Sequence, residues 1–168
     1  MTVSAGDTPT ADTLNDPQGS IIAFLERSTA SSNITNTPEI PILRGDSIPV
    51  VNGRSYEIVA TPTVFASSVA GDLIEMRIRT SLSGAATIAS TQLGSLITDS
   101  KTAGGNQKVH GATWLYTPGA TGNLSVLVSG IRTGGTGNCT IGNPASAYML
   151  RILVRDAGLT VADSGVDL

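Results

Sequence analysis

The 168 residues contain one cysteine and one histidine. Cys139 has no partner for an intramolecular disulfide, so the chain is not a disulfide framework. One Cys and one His do not make a structural zinc site within one chain. Charged residues make up 14% of the chain, against roughly 25% in ordinary soluble domains. No apolar run approaches the roughly 18 residues that cross a bilayer, so no membrane span is expected. Met1–Pro17 is polar, with no basic stretch leading into an apolar one, so no signal peptide is expected and synthesis in a cytoplasm is. Ten Lys and Arg are scattered along the chain and outnumbered by thirteen Asp and Glu. Binding nucleic acid through its phosphates needs a basic stripe, and none is written here.

What is there is a core. Hydrophobic residues make up 40% of the chain and net charge is only -3, a composition that folds. Ser, Thr and Asn fill the polar share, which reads either as a weakly self-repelling surface suited to being covered by other subunits or as that of a neutral secreted or phage β-protein poor in Lys and Glu. Residues 1–19 read as a polar arm broken by Pro9, Pro17 and Gly19, with a short helical turn at Thr10–Asn15 capped by Thr8 or Thr10. Residues 20–156 switch to short apolar stretches punctuated by Gly, Pro, Asn and Ser, the pattern of an all-β domain. Residues 157–168 form a polar tail.

Alternation places the strands. Ile74, Met76 and Ile78 share one face of Leu73–Thr80, and Glu75, Arg77 and Arg79 the other. Tyr56, Ile58 and Ala60 align within Ser55–Thr61, and Ala112, Trp114 and Tyr116 within Val109–Thr117. Leu124, Val126 and Val128 align next, followed by Ile131; Tyr148, Leu150, Ile152 and Val154 form the last strong face. Ile21–Glu26 also alternates. Glu39–Arg44 reads as extended, with Pro38 and Pro41 marking an edge. Ala85–Leu96 is a weaker stretch, and Gly84 and Gly94 argue against a helix there. Roughly eight strands at this spacing predict an antiparallel β-sandwich, jelly-roll-like. Thr102–Asn106, Pro118–Asn123 and Thr133–Asn138 carry turn chemistry.

Chemistry-bearing residues are sparse. His110 opens a strand and serves no GxSxG serine elbow; three copies meeting on a trimer axis would be its one route to a metal. Cys139 lies in GTGNCTIG and reads as a small buried residue, because no basic partner is marked for a nucleophile. Asp7, Asp12 and Asp16 cluster in the arm without the Gly and terminal Glu of a calcium loop. GGTGN lacks the phosphate-loop pattern and reads as a hairpin loop. Arg44-Gly45-Asp46 spells the RGD tripeptide, in a strand-to-turn context. Asn33, Asn123 and Asn138 begin Asn-x-Ser/Thr triplets, accidents of an Asn/Thr-rich chain when no secretory signal is expected. The aromatic residues Phe24, Tyr56, Phe65, Trp114, Tyr116 and Tyr148 fall mostly on core faces, which leaves no row for sugar stacking. No catalytic, cofactor or metal site is assigned, and an enzyme is not expected.

Two stretches carry a resemblance. VSAGDTPTADTLND (Val3–Asp16) resembles the opening phrase of many phage tail and fibre proteins. GSIIAFLERSTASS and EIPILRGDSIPVVNGRSYEIVATPTVFASSVAGDLIEMRIR (within Gly19–Arg79) resemble small structural proteins of actinobacterial tailed phages, often labelled minor tail proteins. ATWLYTPGATGNLSVLVSGIRTGGTG and AYMLRILVRDAG fit the same pattern. The resemblance implies a β-sandwich that assembles as a homotrimer on the virion, and carries over no site residues. The chain lacks the collagen-like or coiled-coil shaft of long fibres. The expectation is a non-enzymatic virion component, minor tail or fibre-like, docked to other phage structural proteins through residues 1–19. Capsid decoration and a receptor- or glycan-binding fibre tip for host attachment are the alternatives. In either case the outer loops, such as Thr102–Asn106 and Thr133–Asn138, are expected to face solvent or a host surface, with a host surface glycan as a further partner.

Overall fold

The computed structural model describes residues 19–142 and 149–159. Among them the chain forms eleven strands: β1 (Ile21–Glu26), β2 (Ile40–Val50), β3 (Arg54–Ala60), β4 (Thr63–Ser67), β5 (Leu73–Ser81), β6 (Thr91–Asp99), β7 (Asn106–Val109), β8 (Ala112–Tyr116), β9 (Gly122–Gly134), β10 (Cys139–Ile141) and β11 (Arg151–Leu159). Eight of them pair in a nested way: β1 with β11, β2 with β9, β3 with β8 and β5 with β6, all antiparallel. Further pairing of β11 with β3 and of β9 with β5 builds two four-stranded sheets, β1-β11-β3-β8 and β2-β9-β5-β6. A long antiparallel ribbon rolled into two facing sheets is the jelly roll. The all-β, jelly-roll-like sandwich read from the sequence is therefore the fold.

The strands follow from their side chains. On β5, Ile74, Met76 and Ile78 are buried and the intervening Glu75, Arg77 and Arg79 point away from the core. Tyr56 and Ile58 of β3, Leu124, Val126 and Val128 of β9, and Ile152 and Val154 of β11 complete the interior. Each such fully buried aliphatic side chain contributes about 1.5–3 kcal/mol.

Both lateral margins close in the same manner. At one, Leu25 of β1 seats on Gly45 of β2; at the other, Trp114 of β8 seats on Gly94 of β6. A side chain on either glycine would run into the group above it.

A third sheet, β10-β4-β7, caps one end. It accounts for most of the differences from the sequence reading. β4 and β10 are five and three residues long, too short to show a period. The stretch Val109–Thr117 divides into β7 and β8 at His110 and Gly111, where the ribbon leaves the small sheet for the large one. Gly111 fits there because a Cβ would lie 2.7 Å from the Ala60 carbonyl. Residues 82–90 form a loop, and the strand read at Ala85–Leu96 begins only at Thr91. The tail read from residue 157 starts later, since β11 continues to Leu159 and pairs Gly158 and Leu159 with Ser55 and Arg54. The arm lies outside the described residues except for Gly19, whose N–H donates to the Asp156 carbonyl. Tyr148 also lies outside them, while its expected face-mates Leu150, Ile152 and Val154 are buried.

Candidate functional site: the loop end and the outer faces of the sandwich

Three connections meet at the capped end: β4–β5, β6–β7 and β9–β10. Backbone hydrogen bonds knit them. Gly71 donates to Ser100, Ser100 to Asp72, Gly104 to Ser67 and Ser68 to Asn138. The Thr133–Asn138 loop, expected as a hairpin facing outward, is wrapped around a carboxylate of its own chain. Thr136 N–H donates to Asp72 Oδ1 at 2.8 Å, and Gly137 N–H lies 3.1 Å from both oxygens. Ser67 donates its hydroxyl to Oδ2.

Successive N–H groups turned onto one anion make a backbone nest. Gly135 adopts φ +82, and a Cβ at Gly135 or Gly137 would collide with the Asp72 carboxylate. So the glycines of GGTGN do cradle an anion, and the anion is built in. Asp72 is fully buried. Burial alone would raise its pKa; the Ser67 hydroxyl, the two backbone N–H groups and the Arg132 charge outweigh that and hold it below the usual carboxylate range. Arg132 is itself buried and donates to the Gly137 carbonyl, which locks the loop from the other side. Thr133, Gly135, Thr136 and Asn138 remain exposed on the loop's outer surface, as do Lys101–Gly104 beside them.

Cys139 lies beneath this loop. It is buried, with its Sγ 3.6 Å from Ser67 Oγ, and burial pushes its thiol pKa up. That is the behaviour of a packing residue and not of a nucleophile. His110 is exposed between β7 and β8. Cys139 Sγ lies 3.9 Å from Asp72 Oδ2 without His110 joining them, and among the described residues no group of three His, Cys, Asp or Glu is placed to hold a metal. Asp7, Asp12 and Asp16 lie outside the described residues.

The outer face of β2-β9-β5-β6 carries a charged network that the sequence did not reveal. Glu39, just before β2, accepts from Arg77 Nη1 at 2.6 Å, from Arg79 Nε at 2.8 Å and from Ser129 Oγ at 2.5 Å. Arg77 also reaches Glu75 at 2.7 Å, and Arg79 donates to the Ser90 carbonyl at 2.9 Å. Burial works against the Glu39 charge, but hydrogen bonds from Arg79, Ser129 and Arg77 win and bring its pKa down to about 2. Only the alternation of Glu75, Arg77 and Arg79 was legible as an outward row. Glu39 comes from 38 residues away, and no local signal marks it.

Beside this network, residues 82–90 fold back over the sheet. Ala86 N–H donates to Ser125 Oγ at 2.7 Å and Ala86 is buried. Between this loop and β2 lies an apolar cavity of about 270 Å³, lined by Pro41, Leu43, Ala86, Ile88 and Leu127 with Arg44 at its rim.

Arg44, Gly45 and Asp46 sit within β2. Arg44 Nε contacts Asp46 Oδ2 at 3.0 Å, and Asp46 Oδ1 accepts from Ser125 at 2.5 Å. Gly45 is the seat for Leu25, and Ser47 beyond it takes φ 59. An adhesion motif must offer its Arg and Asp to a partner. Here the two hold each other, and the glycine serves packing. Of the aromatic residues, Tyr56 and Phe65 are buried, Trp114 and Tyr116 pack against the core, and Phe24 is exposed on β1.

The chain matches no protein-family model and no curated protein. Among solved structures it is similar to that of infectious bursal disease virus Gt strain, at 12% identity and TM-score 0.42 over 95% of this chain and 42% of that one. It is also similar to the Gx strain structure, at 14% identity and TM-score 0.38 over 83% of this chain and 36% of that one. The chain thus spans less than half the length of the structures it resembles. At these scores the likeness adds nothing to the topology already read from the strand pairing.

Proposed function

We propose that the chain is a structural component of a tailed-phage virion: a minor tail or fibre-like subunit that assembles as a homotrimer and docks through residues 1–19. The observation that carries this reading is the nested pairing of the eight sandwich strands. The jelly roll recurs in viral coat and lectin domains. Fold alone does not fix function. The sequence resemblance to phage structural proteins therefore supplies the second support. A third is the use of the ionisable groups: Glu39, Asp72, Arg77, Arg79 and Arg132 are spent on locking loops to sheets. What the sandwich offers outward is a set of small polar loops and strand faces with few charges, material for contacts between subunits. Docking through a short polar arm would order it at some entropic cost, and three arms acting together would recover affinity by avidity.

The test is location. Intact particles purified from cells carrying the gene are labelled with antibody against the folded chain and imaged. Label on the tail is the expected result. Label over the head makes the chain a capsid decoration subunit. A chain that does not co-sediment with particles overturns the virion reading. Deleting residues 1–18 is expected to leave a folded sandwich that no longer joins the particle.

A further inference from the structure

The outer face of the sheet β1-β11-β3-β8 is arranged in rows set by strand register. One row reads Ile21, Arg155, Glu57, Leu115. The next reads Phe24, Leu153, Val59, Thr113. Ile21, Phe24 and Leu115 are 53%, 55% and 62% exposed, the apolar residues a folded surface usually hides. Glu57 and Arg155 stand side by side between the two apolar ends, and among the described residues neither makes an ion pair or a side-chain hydrogen bond.

We propose that this face is a two-fold interface with a second copy of the chain. The argument is complementarity under one symmetry operation. A two-fold axis lying in the interface, parallel to the strands and passing between β11 and β3, lays β11 of one copy over β3 of the other and β1 over β8. Each row then meets itself reversed. Arg155 faces Glu57 of the second copy, and Glu57 faces its Arg155. Ile21 faces Leu115, and Leu153 faces Val59, each pair twice. The row has opposite charges at its two central positions and aliphatic side chains at its two ends, so the reversed copy matches it at all four. A two-fold interface must be self-complementary in this way, and twisted sheets do pack face to face with strands nearly aligned. The inference goes beyond the virion reading and does not rest on it. If trimers form through other surfaces, this contact joins them in pairs.

Charge exchange tests it. Solution mass is measured by light scattering across protein concentration for the full chain, Glu57→Arg, Arg155→Glu and an equimolar mixture of the two variants. The full chain is expected at an even number of 17.1 kDa chains. Each variant alone opposes like charges twice and is expected to weaken the contact at least about tenfold, halving the mass. Mixing them opposes Arg to Glu at every central position and is expected to restore it. Both side chains lie on the outer face, and circular dichroism checks that each variant folds. Leu115→Glu probes the same contact through its apolar end and is expected to halve the mass as well. A monomeric full chain, a mass that none of the variants changes, or a mixture that fails to recover would overturn the proposal. The first of these would leave the face to a different partner.

Discussion

Trp114 of β8 rests on Gly94 of β6, and the indole occupies the space where a side chain at position 94 would stand. This contact joins the open edges of the two main sheets, as Leu25 on Gly45 joins the opposite pair. Placing a branched side chain at Gly94 has to displace the ring. Gly94→Val is expected to lower unfolding free energy in urea by about 1–3 kcal/mol, the usual cost of overpacking. Trp114 is the sole tryptophan. Its native emission is expected to shift to the red in this variant as the ring swings outward; unchanged emission with unchanged stability would refute the seating.

Asp72 holds a loop of backbone donors and faces a buried arginine. Asp72→Ala leaves the Thr136 and Gly137 N–H groups without their acceptor and the buried Arg132 without a nearby opposite charge. Leaving buried donors without their acceptor costs about 1–3 kcal/mol, and more where the lost acceptor is charged. Asp72→Asn keeps one carbonyl oxygen and is expected to lose less. Gly137→Ala, which drives a methyl into the same carboxylate, is expected to destabilise in the same direction. Urea unfolding of the three variants gives the ordering.

Acid dependence follows from Glu39. Its pKa in the fold is about 2, below its ordinary 4.5. A carboxyl depressed on folding adds stability that is fully present above its unfolded value and lost as pH falls through the folded one. Glu39 therefore contributes stability near neutrality that declines from about pH 4.5 towards pH 2. Asp72 acts in the same sense. Unfolding measured from pH 7 to pH 2.5 is expected to show this decline, and Glu39→Gln is expected to be less stable at pH 7 with a flatter acid limb. A variant whose acid limb matches the parent's would remove Glu39 from the account.

Cys139 is expected to be inert to a thiol reagent in the folded chain and to react at the rate of a free thiol in denaturant. Its burial and raised pKa both suppress the thiolate. Fast labelling of the native protein would contradict the packing assigned to the loop end.

Much of this fold was legible because an alternating strand writes its two faces into adjacent residues. Ile74, Met76 and Ile78 against Glu75, Arg77 and Arg79 is such a case, and Pro41 marked β2 as an edge, which it is. What stayed hidden was set by residues far apart in the chain. GGTGN read as a turn because its glycines showed, while the carboxylate it encloses lies 64 residues upstream of Thr136. Glu39 carries no local mark of the two arginines it binds. Gly45 drew attention as the middle of a tripeptide motif, yet its role is a space left for Leu25, which only the facing sheet reveals. The short β4 and β10 escaped because three to five residues cannot display a period.

The nested pairing also sets an order of events. Among the described residues β1 hydrogen-bonds to no strand but β11, so the first strand made is satisfied by the last. On the ribosome, Ile21–Glu26 must wait until Arg151–Leu159 has emerged, and the β1-β11-β3-β8 sheet stays split until then. Pairings between distant segments are slow to form, because the intervening chain must be closed into a loop first. A nascent or prematurely ended chain would therefore hold an unpartnered β1 edge beside the exposed Ile21 and Phe24, a template for joining a neighbour's strand. Synthesis of this chain, more than its finished state, is where aggregation has to be kept in check.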